Sequence, residues 1–539
     1  MGASSSTEQK VSSEQREVET LAASTGALPM LQNSFAKLAD PLSNSIPLQR
    51  LQQCFCLDYK NIIWEASTTV DQFQVLLGHV GFSVTDVFFV PSKEGISWTD
   101  FLRGYVKCCG RMSSSQSLNT LLRVFALAMS KAGLPLKLEF ESDDADCKLS
   151  GSLLPSDMLM IFWICWTMSW NIRTSKLSKG NESLCLPDIS HLVLSAVVSC
   201  SEAGDGLNLW NCDILTLDVH IPVAKFLTWA VMTVPCLTDC LTQFVHGRLQ
   251  NSITSEEEAD PSSLSIGEVC FVKSSQNGLL THGRAWAISL TFRNTAREEI
   301  LRQCFPTDGD GTRENLLYRS SLHGRGLNRF WSNIEGYHGP LLTLVSATSK
   351  DANEDNSCSK SWIIGALTQQ GFENKDNFYG SSGKLYAISP VFHAISPSGK
   401  EKNFVYSHLH PTSRVYEPHP KPVGIAFGGT IGNERIFIDE DFARVTVRHH
   451  AVDKTYQHGS LIPHQGYLQV DASILEVEVW GLGGSVVKEF QTSYKNREQL
   501  FTEQRRKVDL KTFASWEDSP EKMMMGMISD PNAVQREDR

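Results

Sequence analysis

A chain of 539 residues, 41% hydrophobic and 20% charged, has ordinary globular composition and room for two or three domains. Its formal net charge of −11 argues against general nucleic-acid binding, which rests on neutralising phosphates with Lys and Arg. The 14 cysteines are scattered, several in apolar context such as Cys165 and Cys200; this excludes a small disulfide scaffold and fits a reducing compartment.

The chain opens Met-Gly-Ala-Ser-Ser-Ser. With Met1 removed, Gly2 presents a free amine, and Ser6 stands where the myristoylation pattern wants Ser or Thr, so Gly2 is the candidate lipidation site. One such chain binds membrane only marginally, so a second signal from a partner is required. The polar stretch over residues 1–28 predicts a disordered tail.

Residues 29–250 predict an all-α region, with helical apolar spacing at Leu48, Leu51 and Phe55, at Leu121, Leu122, Val124 and Phe125, and at Val193, Leu194, Ala196 and Val197. Gly95 to Leu102 reads like the second half of a calcium loop and its exit helix. With Ile96 at the eighth loop position, the first, third and fifth are Phe89, Pro91 and Lys93; the same register on Ile46 gives Ala39, Pro41 and Ser43. These offer no carboxylates to a hard cation, so the expectation is an EF-hand-like scaffold that binds no calcium. The acidic cluster Glu139, Glu141, Asp143, Asp144 and Asp146 lacks the central glycine and reads as a solvated loop. Met158 to Trp170 is too short to cross a bilayer and predicts a buried helix. The pairs Cys54/Cys56, Cys108/Cys109 and Cys236/Cys240 have neither the spacing nor the neighbouring histidines of a zinc finger, and no metal site is expected.

Residues 251–265 are acidic and polar and predict a linker. Beyond them, short β-rich runs separated by Gly, Pro, Asn and Asp predict a sandwich or barrel over 266–484, with its core at 300–484. The runs are Leu316–Arg319, Leu341–Ser346, Trp362–Leu367, Lys384–Ile388, Phe404–Ser407, Val423–Phe427, Arg435–Ile438 and Ile474–Trp480. Leu327 to Ile334 has helical spacing. Residues 485–539 predict a charged helix around Arg497–Val508 and a loose tail.

Motifs for phosphate binding, dinucleotide binding, nucleophile elbows and zinc proteases are absent. Gly428 and Gly429 supply backbone freedom at a bulge or turn; Trp480 packs in the core or on the sheet face. Glu335 and Glu478 would do acid–base chemistry only if they converged. His408 and His410 share a strand face without a further ligand type nearby, and His419, His449, His450, His458 and His464 read as surface histidines. Asp439-Glu440-Asp441 reads as a solvated turn open to partners. Of Cys304 and Cys358, the second lies in a polar loop beside Lys360 and is the candidate reactive thiol.

The β-region resembles the TLDc family. In order, the blocks are Leu316–Ser320 with Gly324–Phe330, Glu335-Gly336, Pro340–Val345, Ile364-Gly365-Ala366, Phe378-Tyr379-Gly380 with Leu385-Tyr386, Ile425–Gly429, Ile436–Phe442 and Leu475–Trp480. Phe427 stands where the family has a glycine, and Ser349–Lys360 is a polar insert. The whole layout, an α+β chain with an EF-hand-like helical half, an antiparallel TLDc β-sandwich and flanking helices, is similar to that of TOR-associated, lysosome-located TLDc proteins of animals. The resemblance implies a non-catalytic interaction protein linked to oxidative-stress protection. It would need no cofactor and would bind the vacuolar proton-pumping ATPase or a TOR-signalling assembly. It implies a cytoplasmic protein in peripheral association with lysosomal or vacuolar membrane. Candidate partner-binding residues are Arg325, Arg329, Phe330, Glu335, Asp439, Asp441, Arg497 and Arg505, since interfaces favour aromatic and Arg anchors. The alternative is a direct antioxidant or other enzyme using Glu335, Glu478 or Cys358.

Overall fold

The computed structural model describes residues 13–65, 70, 72–90, 95–142, 144, 146–174, 183–201, 206–254, 278–305, 315–349, 359–409, 420–517 and 524, side chains at 254 and 508–517 excepted. The N-terminal half begins with α1 (Ser13–Ser24), α2 (Leu28–Leu38), α3 (Leu48–Cys54), β1 (Asn61–Trp64), α4 (Gln72–Phe88), α5 (Trp98–Cys109) and α6 (Ser114–Lys131). Residues 13–28 depart from the expected disorder. Helix α1 buries Val18 and Ala22, and Trp98 Nε1 of α5 donates to Glu19 at 2.8 Å; tertiary contact sustains a helix too short to stand alone. Ser97 caps α5, and Ser113 with Gln116 forms a capping box on α6. Ile46 and Ile96 exchange two backbone hydrogen bonds of 2.9 Å.

The chain continues with β2 (Lys137–Phe140), β3 (Leu149–Leu153), α7 (Pro155–Thr174), β4 (Ser183–Leu186), α8 (Ser190–Cys200), β5 (Ile221–Pro222), α9 (Val223–Thr233) and α10 (Cys240–Thr254). The all-α expectation for 29–250 is thus corrected by two small sheets, a parallel β1–β4 pair and β2–β3–β5. Their strands are too short for alternation to reveal. Helix α7 carries the apolar run predicted as buried: residues 157–168 are buried without a break. Such a helix belongs at the centre of a core. No helix among the described residues is long and apolar enough to cross a membrane. The expected linker begins inside α10, which runs to Thr254; residues 255–277 lie outside the described residues.

The C-terminal half holds α11 (His282–Ser289), α12 (Thr295–Cys304), β6 (Leu316–Arg319), α13 (Ser320–His323), α14 (Leu327–Ile334), β7 (Leu341–Ser349), β8 (Lys360–Thr368), β9 (Lys375–Tyr379), β10 (Gly383–Ser389) and β11 (His393–Ile395). Then come β12 (Val405–His408), β13 (Gly424–Thr430), β14 (Asn433–Asp439), β15 (Arg444–Val447), β16 (Val470–Gly481) and α15 (Gly484–Glu517). The strands form one 11-stranded sheet in the order β11-β10-β8-β7-β16-β15-β14-β13-β12-β9, with β6 also on β16. Every pairing in it is antiparallel. The expected sandwich is therefore a single sheet that curls until its two halves face each other. Strand β16 sits at the turning point. Its first residues pair with β15, Glu478–Trp480 pair with β6, and its other edge follows β7.

Alternation decides what each face meets. Val345, Ala347, Ile364, Ala366, Leu385, Val477 and Val479 point inward, against Ile425, Phe427, Ile436, Ile438, Val445 and Val447 of the opposite half. Leu342, Leu344, Ile363, Leu367, Tyr386, Ile388 and Trp480 point outward and share a core with the helices. Helices α11 and α12 form the layer between sheet and α7: Trp166 stacks on Phe305 with centroids 4.8 Å apart, and Tyr386 Oη meets Thr291 Oγ1 at 3.0 Å. The helical and β-rich regions are joined by one apolar core.

Candidate functional site

The residues expected to bind partners divide by exposure. Arg325 and Arg329 are exposed, and Arg325 also donates to the Leu475 carbonyl at 3.0 Å. Phe330 is corrected: it is fully buried, ringed by Tyr318, Trp331, Phe372 and Phe442 at centroid distances of 5.1–5.9 Å. The helical spacing of Leu327, Phe330, Trp331 and Ile334 marks the core face of α14. Asp439 is half-buried and builds its own turn, accepting from the amides of Ala443 at 2.8 Å and Arg444 at 3.1 Å; Asp441 is exposed.

Helix α15 docks by its first turns and then leaves the domain. Gln491 Nε2 donates to the carbonyls of Asn333 and Glu335 at 3.0 and 3.2 Å, and Lys495 Nζ donates to Asn333 O at 2.6 Å. These side chains satisfy the carbonyls that α14 leaves orphaned at its end. Beyond them Arg497 and Arg505 are exposed. So are Phe490, Leu500 and Phe501, at 63%, 59% and 69%.

The two carboxylates considered for acid–base chemistry are held apart. Glu335 is exposed at the end of α14 and accepts from Tyr494 Oη at 3.4 Å. Glu478 is fully buried and faces away from the inward-pointing Val477 and Val479. Arg319 pairs with it at 2.8 Å. It also accepts from the amides of Leu279 and Leu280 and from Trp480 Nε1, at 2.9, 3.3 and 2.9 Å. This carboxylate clasps the segment before α11 onto the sheet. Cys304 is buried, and burial pushes its thiol well above the usual range. Gly2, Cys358, His410 and His419 lie outside the described residues. His408 is half-exposed beside Tyr406. His449 and His450 are half-buried rather than on the surface, and burial lowers both below the ordinary histidine value. Gly428 and Gly429 have φ of +70° and +87°, a conformation that glycine supplies freely, and they lie within β13 rather than in a turn.

Sequence reasoning missed a cleft of about 350 Å³ between the helical half and the sheet. Glu65, Asp188, Ser190, His191, Trp210, Thr281, Arg284 and Ser389-Pro390 line it. Asp188 accepts from the Ser190 amide at 2.9 Å, just before α8. Burial works against its charge, but the bonds from Ser190 and the nearby Arg284 guanidinium leave its carboxyl below the usual value. His191 is 7% exposed, and its Nε2 is buried with no hydrogen-bond partner among the described residues. Burial pushes its pKa down to about 4, against the pull of Asp188, so near neutrality it is an uncharged imidazole. Burial also lowers the Arg284 guanidinium, offset by Asp188, Glu478 and Glu65; its Nη1 donates to Leu279 O at 2.9 Å. Behind the cleft, His282 Nδ1 contacts Glu65 Oε1, and Cys185 Sγ lies 3.9 Å from the same oxygen. Burial and the Glu65 charge push the Cys185 thiol up to about 12. No motif joins these residues, because five separate stretches of the chain supply the cleft.

Comparison with curated proteins gave no match. Comparison with protein families matched residues 294–483, from the cap of α12 to the end of β16. The curled antiparallel sheet with its preceding helix is thus the fold of that matched segment, and the chain carries a TLDc domain over residues 294–483.

Proposed function

We propose that the protein is a non-catalytic interaction protein of the stress-protective TLDc class, and that α15 is its grip on a large partner assembly. The observation that carries this reading is the exposed pair Leu500 and Phe501 on the part of the helix that extends past its docking site, with Phe490 exposed on the docked turns. Large exposed apolar side chains flanked by Arg are the usual anchors of a protein interface. The favoured partner is the vacuolar proton-pumping ATPase, with a lysosomal TOR-signalling assembly as the next candidate. Acylated Gly2 would add a second, weak attachment to the membrane beside the partner. In the helical half, the bridge between Ile46 and Ile96 pairs the two residues assigned to the same loop position, which supports a degenerate EF-hand pair built from α2 to α5.

The test adds the full chain to vesicles carrying the vacuolar ATPase and follows ATP-driven acidification and subunit release. The wild-type chain should bind and alter one of them. A Leu500→Glu, Phe501→Glu variant should bind roughly 30-fold more weakly, as loss of a hot spot of about 2 kcal/mol requires. No binding at saturating protein would remove the ATPase as partner.

A further inference from the structure

We infer that Glu65, Cys185 and His282 form a binding site for one borderline divalent metal ion, zinc above all. The three ligand atoms, a carboxylate oxygen, a thiol sulfur and an imidazole Nδ1, lie within 4.8 Å of one another. Mixed sulfur, nitrogen and oxygen donors in a half-buried setting suit zinc rather than magnesium or calcium, which take oxygen alone. In a tetrahedral site with bonds of about 2.0 Å to nitrogen and oxygen, neighbouring N and O ligands stand about 3.3 Å apart. The Glu65–His282 contact therefore opens slightly as the ion enters between them.

The backbones that carry the ligands are already in place. Ile63 and Cys185 are register partners in the parallel β1–β4 pair, and the Glu65 amide donates to Leu186 O at 3.0 Å. Trp166 Nε1 holds the Cys185 carbonyl at 2.7 Å. His282 is the first residue of α11, whose cap is Thr281. The Glu478 clasp fixes the residues just before that cap. Fixed ligand backbones lower the ordering cost of metal capture.

Charge also closes. Binding takes the proton from Cys185 Sγ and releases it to solvent, so thiolate and carboxylate together offset the two charges of the ion. Three protein ligands leave the fourth tetrahedral position open. Glu65 both ligates and lines the cleft that holds His191, so solvent from the cleft fills that position. The ion would staple the start of α11, and with it the approach to the sheet, to the helical half.

The experiment uses the full chain, loaded with zinc, dialysed and assayed for metal content. Cobalt substitution and zinc-edge X-ray absorption then follow. The expected result is one zinc per chain, a thiolate-to-cobalt charge-transfer band, and an absorption fit with one sulfur among nitrogen and oxygen ligands. Cys185→Ser should abolish the band. His282→Gln and Glu65→Gln should each weaken zinc binding by more than the roughly 10–100-fold that loss of an outer-shell partner costs. Chelation should lower the unfolding midpoint of the wild-type chain and leave that of Cys185→Ser unmoved. Metal at background in the wild-type chain would overturn the assignment. So would a sulfur-only or sulfur-free coordination shell, a measurement that needs no variant to fold.

Discussion

At the scale of single residues, Glu478 shows how a carboxylate can look chemical in sequence and prove structural in the fold. Its two oxygens are shared by a guanidinium, two amides and an indole. Replacing it by Gln removes the charge that Arg319 faces, and breaking a buried pair from one side costs about 3–5 kcal/mol. Urea denaturation of Glu478→Gln should show that loss; a change below about 1 kcal/mol would mean that the clasp is held by the amides alone. The alternation of Val477 and Val479 made the opposite orientation of Glu478 legible in sequence. Its partners were not legible, because Arg319 arrives only through the register of β6 on β16. The cluster behind the cleft was hidden for the same reason: Glu65 lies 120 positions from Cys185 and 217 from His282.

Whole elements were more legible. Each run of alternating or β-branched residues named as a strand is one, since sheet packing rewards that pattern directly. Strands β9, β11 and β15 stand outside the named runs: β11 has only 3 residues, and β9 opens on three exposed polar residues. Helix α14 is legible as a helix, and the spacing of Phe330 within it is that of the core face rather than of an exposed anchor. The joint between α14 and α15 turns on Gly336, whose φ is +79° and where an added Cβ would lie 2.6 Å from the Tyr494 ring. Gly336→Ala should cost about 1–2 kcal/mol in left-handed backbone alone and displace Tyr494. Hydrogen exchange should then quicken in residues 484–495 while the sheet stays protected. Unchanged exchange there would show that Gln491 and Lys495 hold α15 without the ring.

For the whole molecule, composition and the polar stretch at 251–265 suggested a helical unit and a β-rich unit in succession. Residues 255–277 of that boundary lie outside the described residues, and nothing local announces that helices are what cover Leu342, Leu344, Ile363 and Ile388. Their strands read as nearly continuous apolar runs, the mark of a sheet buried on both faces. A fragment beginning at residue 278 would leave α11 and α12 uncovered by α7, and each large side chain so bared forfeits about 1.5–3 kcal/mol. The full chain should unfold in one transition by circular dichroism and by tryptophan fluorescence, and the fragment should bind a hydrophobic dye or aggregate. A soluble, dye-free fragment that melts like the parent would show that the shared core is dispensable.

The central position of β16 carries a consequence for the order of folding. A ribosome releases β6 and β7 more than a hundred residues before the strand that separates β7 from β15 and completes the curl. Until Val470–Gly481 emerges, the two halves of the sheet have no common edge, and β7 waits with one side unpaired. Closure of the domain is therefore a late event that joins the ends of a long segment, the kind of non-local pairing that folds slowly and leaves strand edges open to aggregation meanwhile. By then the helical half has already been made, and its apolar surface is available as a template on which the first strands can wait for the last.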